Sequence, residues 1–389
     1  MPIINRIAEF HADMTAWRRD LHAHPETAFE EHRTSDLVAE CLESFGVEVH
    51  RGLAGTGVVG TIRNGEGPAI GLRADMDALH IPEANTFGHA SKHEGKMHAC
   101  GHDGHTAMLL GAARYLAETK RFKGTVHVIF QPAEENEGGG RVMVEEGLFK
   151  TFPVQGVYGM HNWPGLPAGH FAVRSGPIMA SYDVFEITVT GRGSHAAMPH
   201  QAVDPIVVAA DIVGALQTVV SRSMDPLESA VLSVTQVHAG DTWNVIPDVA
   251  VLRGTVRAFQ PAVQDQVEAA INRIARGLCQ THGATCATRY ERRYPPTINS
   301  AAETELAARA AAAVAGMDRV EHRPTPSMGS EDFSFMLRER PGSYIWLGNG
   351  PGQGGCMLHN PGYDFNDEVL PVGASYWATL VEQVLPQDG

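Results

Sequence analysis

The stretch MHACGHDGHTA, residues 97–107, sets one cysteine, Cys100, among several histidines and one acid. Such a cysteine can be a metal ligand, a redox thiol, a nucleophile or simply a small buried residue. Three other segments place similar polar residues at the edge of an apolar or glycine-rich run: QPAEENEGGG with Glu134 and Glu135, YGMHNWPG with His161, and CMLHNPGYDFND with His359. With Cys100 and His102, these residues could hold two divalent ions and leave positions open for water.

The adjacent acids Glu134 and Glu135 are the most informative of these residues. An apolar strand-like run, VHVIF, leads into them, which disfavours a plain solvated acidic turn. Two consecutive acids suit a division of labour in which one binds a metal and its neighbour acts on the attacking water.

Three other motifs suggest different chemistry, but the residues around them do not fit it. GTGVVG at 55–60 matches the dinucleotide-binding pattern, but strand residues and turns follow it where a helix should begin, so a hairpin is the better interpretation. His22 and His24 form a His-x-His pair, yet they follow AWRRDL as the end of a charged helix does. No G-x-S-x-G elbow is present, and the Gly-Ser-Glu-Asp at 329–332 is not one.

Composition narrows the class of protein. The chain has 389 residues, of which 43% are hydrophobic and 19% charged, as expected of a soluble globular protein with two domains. The net charge of −15 and the lack of a basic run argue against a nucleic-acid partner. No window approaches the roughly 18 uninterrupted apolar residues of a membrane span, and the charged N-terminus does not have the form of a signal peptide. Five scattered cysteines indicate reduced thiols, so we expect a cytoplasmic protein without a structural disulfide.

The patterns of the two halves predict an α/β fold with a second domain inserted in it. In the first half, helical patterns at about 6–21 and 31–45 and after the quoted stretch alternate with strand-like runs, which favours a mainly parallel sheet. From about 178 to 295 the order becomes βαββα, typical of a compact α+β unit. We therefore predict a catalytic domain at 1–177 and 296–389, and a small inserted domain at 178–295.

The ordered motifs resemble those of a known family. LRADMDAL, HACGHDGH, QPAEE, GMHNWP, GSHAAMPH, NVIPD, GSEDFS and HNPGYDFND occur in the order seen in the hippurate hydrolase and auxin-conjugate amidohydrolase branch of the aminoacylase and carboxypeptidase metallopeptidases. The resemblance covers nearly the whole chain. It implies a dinuclear-metal exopeptidase-like catalytic domain and an inserted ferredoxin-like domain that serves as lid and dimerisation surface.

The resemblance also assigns the metal site. It implies two divalent ions, Zn, Mn, Co or Ni, and the following ligands: Cys100, His102, Glu135, His161 and His359. Glu134 would be the general base, and Cys100 would bridge the two ions. Wider relatives have a His-x-Asp pair at the strand end RADMD, so Asp75 replaces that histidine and Asp77 would support the catalytic site.

Three residues of the inserted domain receive roles from the same resemblance. His195 would stabilise the oxyanion from the partner subunit of a homodimer, and Asn244 and Arg257 would hold the substrate. A guanidinium can bind a carboxylate through two hydrogen bonds, which would select a free carboxylate beside the amide. Arg253 lies on the same strand face as Arg257, so one of the two could be only a surface charge.

The expected activity is hydrolysis of the amide bond of N-acyl amino acids, which releases a carboxylic acid and a free amino acid. A dipeptidase or an aminobenzoyl-glutamate hydrolase could use the same site, and a non-catalytic binding protein could keep the fold. Asp103, His98 and His105 are expected to support the ligands from behind, to cap a helix or to have merely local roles. His80 stands in LHIPE, where the branch leads one to expect Leu-Pro.

Overall fold

The computed structural model describes residues 3–135, 137–351 and 356–387, and the chain divides into two compact units. The large unit comprises Met1–Ile178, Ile298–Thr325 and Asp332–Gly389. The small unit comprises Met179–Thr297 and Pro326–Glu331. These limits lie close to the predicted domain boundaries. The exception is the segment Pro326–Glu331, which belongs to the small unit although no sequence pattern predicted it.

Helices and strands alternate through the first half of the chain. The helices are α1 (Asn5–Glu9), α2 (His11–Ala23), α3 (His32–Ser44), α4 (His102–Thr119), α5 (Gly139–Glu145), α6 (Leu148–Thr151), α7 (Pro205–Thr218), α8 (Pro261–His282), α9 (Ala301–Ala315), α10 (Phe333–Glu339) and α11 (Leu370–Val384). The strands are β1 (Glu48–Leu53), β2 (Gly57–Asn64), β3 (Ala69–Asp75), β4 (Gly124–Gln131), β5 (Gly156–Pro164), β6 (Phe171–Ala172), β7 (Gly176–Met179), β8 (Tyr182–Thr190), β9 (Ser194–His195), β10 (Ala230–Ala239), β11 (Val245–Ile246), β12 (Val249–Ala258), β13 (Thr285–Tyr294), β14 (Thr297–Asn299), β15 (Val320–Glu321) and β16 (Gly342–Gly350).

The sheet of the large unit is mixed, with a parallel centre. Its strand order is β1-β2-β4-β3-β5-β16-β6-β15. Strands β4, β3, β5 and β16 run parallel to one another, whereas β1, β2 and β4 pair antiparallel, as do β16 and β6. The glycines of GTGVVG form the β1–β2 hairpin, with Gly55 at φ 80°, so the hairpin prediction holds.

Apolar residues of the sheet and helices form the core of the large unit. Val126, Val128 and Phe130 of β4 pack with α4 and α11 in one hydrophobic cluster, whereas Ile129 points to the other face. The predicted N-terminal helix is broken at Phe10, where α2 begins a new helix that ends at Ala23. His22 therefore lies in the last turn of a helix, as the sequence analysis predicted, and not at the end of a strand.

The small unit has the order βαββαβ, with a four-stranded antiparallel sheet β10-β12-β8-β13. Helices α7 and α8 pack on one face through a second apolar cluster. This is the ferredoxin-like arrangement. The sequence analysis did not identify β13 as a strand because TCATRYERRY is rich in polar residues and lies at an edge of the sheet.

The face of the small unit around α7 exposes apolar side chains. Ile206, Val207 and Val220 are exposed there, as are Val231 and Val237 of the edge strand β10. Among the described residues, the helical stretch Pro205–Ser223 is long and apolar enough to span a membrane by length and composition alone. Its other face packs into the core of the small unit through Val208, Ile212 and Leu216.

Candidate functional site

The parallel strands bring the predicted site residues of the large unit to one edge of the sheet. Asp75 ends β3, Glu134 and Glu135 follow the end of β4, and His161 lies in the second half of β5. The carboxyl ends of neighbouring parallel strands lie at the same edge, so segments far apart in sequence meet there.

The stretch around Cys100 forms the start of helix α4. His102 is the first helical residue, and Gly101 before it adopts a left-handed conformation with φ 91°. A Cβ atom at Gly101 would lie 2.3 Å from Nδ2 of Asn162 and 2.6 Å from the hydroxyl of Tyr363. Glycine is thus required here for its backbone conformation and for space. His102 is therefore presented from the first turn of α4.

All five predicted ligands converge on one place. Cys100 Sγ lies 3.4 Å from His161 Nε2, and His359 Nε2 lies 3.1 Å from Glu135 Oε1. Ligand atoms of three sets lie within 4.8 Å of one another: Cys100, His102 and His161; Cys100, Glu135 and His359; His102, Glu134 and Glu135. Cys100 and His102 each belong to two of these sets, so the sets join into one continuous cluster of donor atoms.

The donor atoms fit a pair of cations. Nε2 of His102 is buried and has no hydrogen-bond partner among the described residues. Burial lowers the pKa of His161 well below its usual value, so the imidazole is neutral, as a ligand must be. Burial and nearby Glu135 and Glu134 raise the pKa of the Cys100 thiol well above its usual value. Burial opposes the charge of His102, yet Asp75 and Asp77 raise its pKa to about 10.

Asp77 fixes three of the site residues. Its carboxylate accepts hydrogen bonds from the backbone N–H of Glu134 at 3.0 Å and of Glu135 at 2.9 Å. Nδ1 of His102 lies 2.9 Å from the Asp77 carbonyl oxygen and 3.2 Å from its carboxylate. This bonding assigns the proton of His102 to Nδ1 and leaves Nε2 free to bind a cation. Asp77 thus contacts two predicted ligands, His102 and Glu135, and the predicted base Glu134.

Asp75 belongs to a buried chain of polar residues. Burial opposes its ionisation, but His102, Arg73 and His105 hold its pKa well below the usual range. Asp75 bonds Arg73 at 2.6 Å and Nδ1 of His105 at 2.5 Å. Nε2 of His105 in turn accepts the backbone N–H of Asn162, next to His161, at 2.9 Å. His105 therefore lies behind the ligands, which is one of the three roles expected for it.

Glu134 is buried beside the ligands and is held from a second direction. Its Oε1 accepts a hydrogen bond of 3.4 Å from the backbone N–H of Asp332, in the GSEDFS motif. The Asp332 carboxylate binds Arg73 at 2.9 Å and the backbone N–H of Gly140 at 2.7 Å. The sequence analysis missed Arg73 and Asp332, although their motifs LRADMDAL and GSEDFS were the available signal.

Asp103 and His98 lie in a second buried polar cluster. The Asp103 carboxylate contacts Nδ1 of His22 at 2.8 Å and the guanidinium of Arg18 at 3.7 Å. It also accepts the backbone N–H of Gly104 at 3.0 Å, so the capping role is only part of its function. Both ring nitrogens of His98 are buried without a hydrogen-bond partner among the described residues.

Two of the three predicted residues of the small unit lie on strands, His195 on β9 and Arg257 on β12, and Asn244 directly precedes β11. His195 of β9 is exposed and pairs with Val245 of β11, so it shares a short ribbon with the exposed Asn244. Arg257 of β12 is half-buried, donates to Ser330 Oγ at 2.9 Å and lies over the ring of Tyr182. Arg253 instead forms an exposed ion pair with Glu186, so it is the surface charge of the two arginines.

Comparisons with known proteins agree with this geometry. The chain is 41% identical over 379 residues to an N-acetylcysteine deacetylase of Bacillus subtilis, covering 97% of this chain and 98% of that one. It is 39% identical over 386 residues to a hippurate hydrolase of Campylobacter jejuni, covering 99% and 100%. A crystal structure of the Bacillus subtilis YXEP protein, described as a dinuclear metal binding peptidase from the M20 family, superposes with a TM-score of 0.85 at 37% identity, covering 97% and 99%. The sequence profile of peptidase family M20/M25/M40 matches residues 71–383, and the chain belongs to that family.

Proposed function

We propose that this protein hydrolyses the amide bond of N-acyl amino acids of the hippurate type and releases a carboxylic acid and a free amino acid. The observation that carries the proposal is the convergence of five metal-ligand side chains and Glu134 at one edge of the sheet. The relatives that act on N-acetylcysteine and hippurate support this class of substrate.

Two divalent ions complete the site in this proposal. Their ligands are Cys100, His102, Glu135, His161 and His359, whose mixed S, N and O donors suit Zn, Mn, Co or Ni. When bound, such a pair polarises the amide carbonyl and lowers the pKa of a water. Elemental analysis, followed by chelation and metal add-back with a panel of N-acyl amino acids, tests both the metal and the substrate class. Activity that survives full chelation contradicts the proposal.

The residues of the chain supply the proton transfers and the binding of the substrate. Glu134 takes a proton from the attacking water and passes it to the leaving amine. His195 stabilises the oxyanion, and Asn244 and Arg257 hold the amino-acid part of the substrate.

Substitution of Glu134 tests the general base. Glu134→Gln keeps the shape of the side chain but cannot take a proton, so turnover should fall at least roughly 100-fold. Metal content, measured by elemental analysis, should stay at the wild-type level. Near-normal turnover with full metal content removes Glu134 from this role.

A homodimer is part of the proposal. The exposed apolar side chains around α7 and the open edge of β10 suit burial against a second copy of the small unit. If His195 acts on the partner's site, His195→Ala should be inactive, and mixing it with Glu134→Gln should restore part of the activity. Absence of rescue in mixed dimers verified by differential tagging would contradict a shared site.

The free thiols of the cysteines fit the cytoplasm as the location.

A further inference from the structure

The turn that carries Glu134 and Glu135 begins at a residue with a left-handed backbone. Ala133 directly precedes Glu134, is completely buried and has φ 55°. Its carbonyl oxygen accepts the backbone N–H of Gly139, at the start of α5, at 2.9 Å. The left-handed region is unfavourable for a residue with a Cβ atom, so contacts with the surrounding structure must hold Ala133 there. The direction of Glu134 and Glu135 depends on this one backbone conformation.

A buried acid outside the metal site, Glu31, makes such a contact. Its Oε1 accepts the backbone N–H of Ala133 at 2.9 Å. The same oxygen accepts the N–H of Phe29, which also has a left-handed backbone with φ 61°, at 3.1 Å. Its Oε2 accepts the hydroxyl hydrogen of Thr56, in the β1–β2 hairpin, at 2.7 Å. One carboxylate thus joins the hairpin, the segment before α3 and the turn after β4.

Simpler roles do not account for Glu31. It directly precedes α3, where a side chain commonly caps a helix, but it makes no capping hydrogen bond. Its side chain is completely buried, and among the described residues no lysine or arginine lies within ion-pair distance of it. Burial and the charge of Asp77 raise the pKa of Glu31 to about 7. An acid buried without a cation costs stability, so a role in the site explains Glu31 better than a role in folding.

Glu31 completes a row of three successive backbone N–H groups that acids hold. These are the N–H groups of residues 133–135: Glu31 binds the first, and Asp77 binds the other two. The segment that carries Glu31 is also attached to the strand end that carries Asp77, because the N–H of Ala78 donates to the carbonyl oxygen of Glu26 at 2.8 Å. Two carboxylates from different segments therefore fix the backbone of the turn.

We propose that Glu31 is a positioning residue for the general base, which holds Ala133 in its left-handed conformation and so directs Glu134 toward the attacking water. This inference rests on the proposed role of Glu134 in the hydrolysis of N-acyl amino acids. A general base must lie within hydrogen-bond reach of the proton that it takes, and a displacement of about 1 Å can lower a rate roughly 100-fold. Among the described residues, none of the hydrogen bonds of Glu31 goes to a predicted metal ligand, so it acts through the backbone.

Two substitutions of similar size separate the hydrogen bonds of Glu31 from its volume. Glu31→Gln keeps an acceptor oxygen for both N–H groups and can donate to Thr56, and its uncharged amide resembles the protonated acid that a pKa of about 7 makes accessible at neutral pH. Glu31→Met fills the same space without an acceptor. With benzoylglycine and full metal content, Glu31→Met should lower kcat roughly 10-fold to 100-fold with little change in KM, whereas Glu31→Gln should retain most of the turnover. Glu30→Met changes the neighbouring acid, whose side chain is 65% exposed, and should match wild type.

A second substitution tests whether Glu31 acts through the backbone of Ala133. Glycine adopts this φ without a steric penalty, so the loss of kcat from Glu31→Met should be smaller by roughly 5-fold in the Ala133→Gly protein. Hydrogen–deuterium exchange of the metal-free proteins measures the turn directly. The amides of residues 131–135 should exchange faster in Glu31→Met than in Glu31→Gln or wild type. If Glu31→Met does not fold, Glu31→Asp, whose carboxylate is one methylene shorter, replaces it in each measurement.

Three results would overturn the inference: wild-type kcat in Glu31→Met, equal losses from Glu31→Met and Glu31→Gln, or a loss that Ala133→Gly leaves unchanged. The two proposals can fail separately. If the wild type hydrolyses N-acyl amino acids and Glu31→Met turns over as wild type does, only the positioning role is wrong. If the wild type hydrolyses none of them, the proposed function is wrong. The exchange measurement still decides whether Glu31 holds the turn, because it requires neither metal nor turnover.

Discussion

Replacement of Asp77 by asparagine should damage the metal centre although Asp77 is not a predicted ligand. The two carboxylate oxygens accept the backbone N–H groups of Glu134 and Glu135 at 3.0 and 2.9 Å. An asparagine keeps one acceptor oxygen and directs an NH2 group at the other backbone N–H. The change loses one charge-assisted hydrogen bond, about 1.5–3 kcal/mol, and leaves a buried donor unpaired, about 1–3 kcal/mol.

This loss is divided between folding and metal binding, because the same carboxylate supports both. We expect metal affinity to fall about 10-fold to 100-fold, as is typical when an outer partner of a ligand is removed. Competition with a chelating dye measures the affinity, and urea unfolding of the metal-free protein measures the stability. Asp265→Asn, which alters an exposed acid paired with Arg292, is the matched control. Wild-type metal affinity and turnover in Asp77→Asn would refute this explanation of the site.

Two further predictions concern protons held by buried groups. Burial opposes protonation of His22, but hydrogen bonds to Asp103 and Glu83 raise its pKa from 6.5 to about 9. The resulting stabilisation, about 3 kcal/mol, should be complete below pH 6.5 and lost as the pH rises to about 9. His22→Asn should therefore flatten the pH dependence of the free energy of unfolding, measured with urea. An unchanged pH dependence contradicts the assignment. Metal binding requires the Cys100 thiolate, so Cys100→Ser should release one proton fewer than wild type when the metal-free protein is loaded with metal at pH 8. An indicator dye measures the released protons. Cys41→Ser is the control and should match wild type. Equal release in all three proteins, or a Cys100 thiol that titrates equally with and without metal, would show that Cys100 is not a ligand.

The elements of the fold were predictable where the hydrophobic pattern is strong. Helix α4 and strand β4 are long and apolar, and the sequence predicts both. The antiparallel pairing of β2 with β4 was not predicted, since an apolar run does not reveal the direction of its neighbour. Strand β13 was missed because its inner positions include Tyr290, which bonds Asp183, instead of an uninterrupted apolar row.

The residues of the candidate site were likewise predictable only in part. The ligand candidates were found because their residue types and motifs are specific, and the structure brings all five together. The residues that orient them were found only in part. Arg73 lies inside an apolar strand, and it is acceptable there because Asp75, Gln131 and Asp332 surround its guanidinium. Contacts between residues so distant in sequence leave no local pattern.

The sequence by itself predicted the chemistry proposed for this protein, since one thiol, three imidazoles and two adjacent acids at apolar segment ends are typical of a metal centre with a neighbouring base. Only the tertiary structure decided which histidines lie beside the ligands, that Asp77 holds both Glu134 and Glu135, and that Arg257 lies over the ring of Tyr182. The physical reason is that residue type fixes what an atom can donate or bind. Its partners depend on strand register and helix packing, which the whole chain determines together.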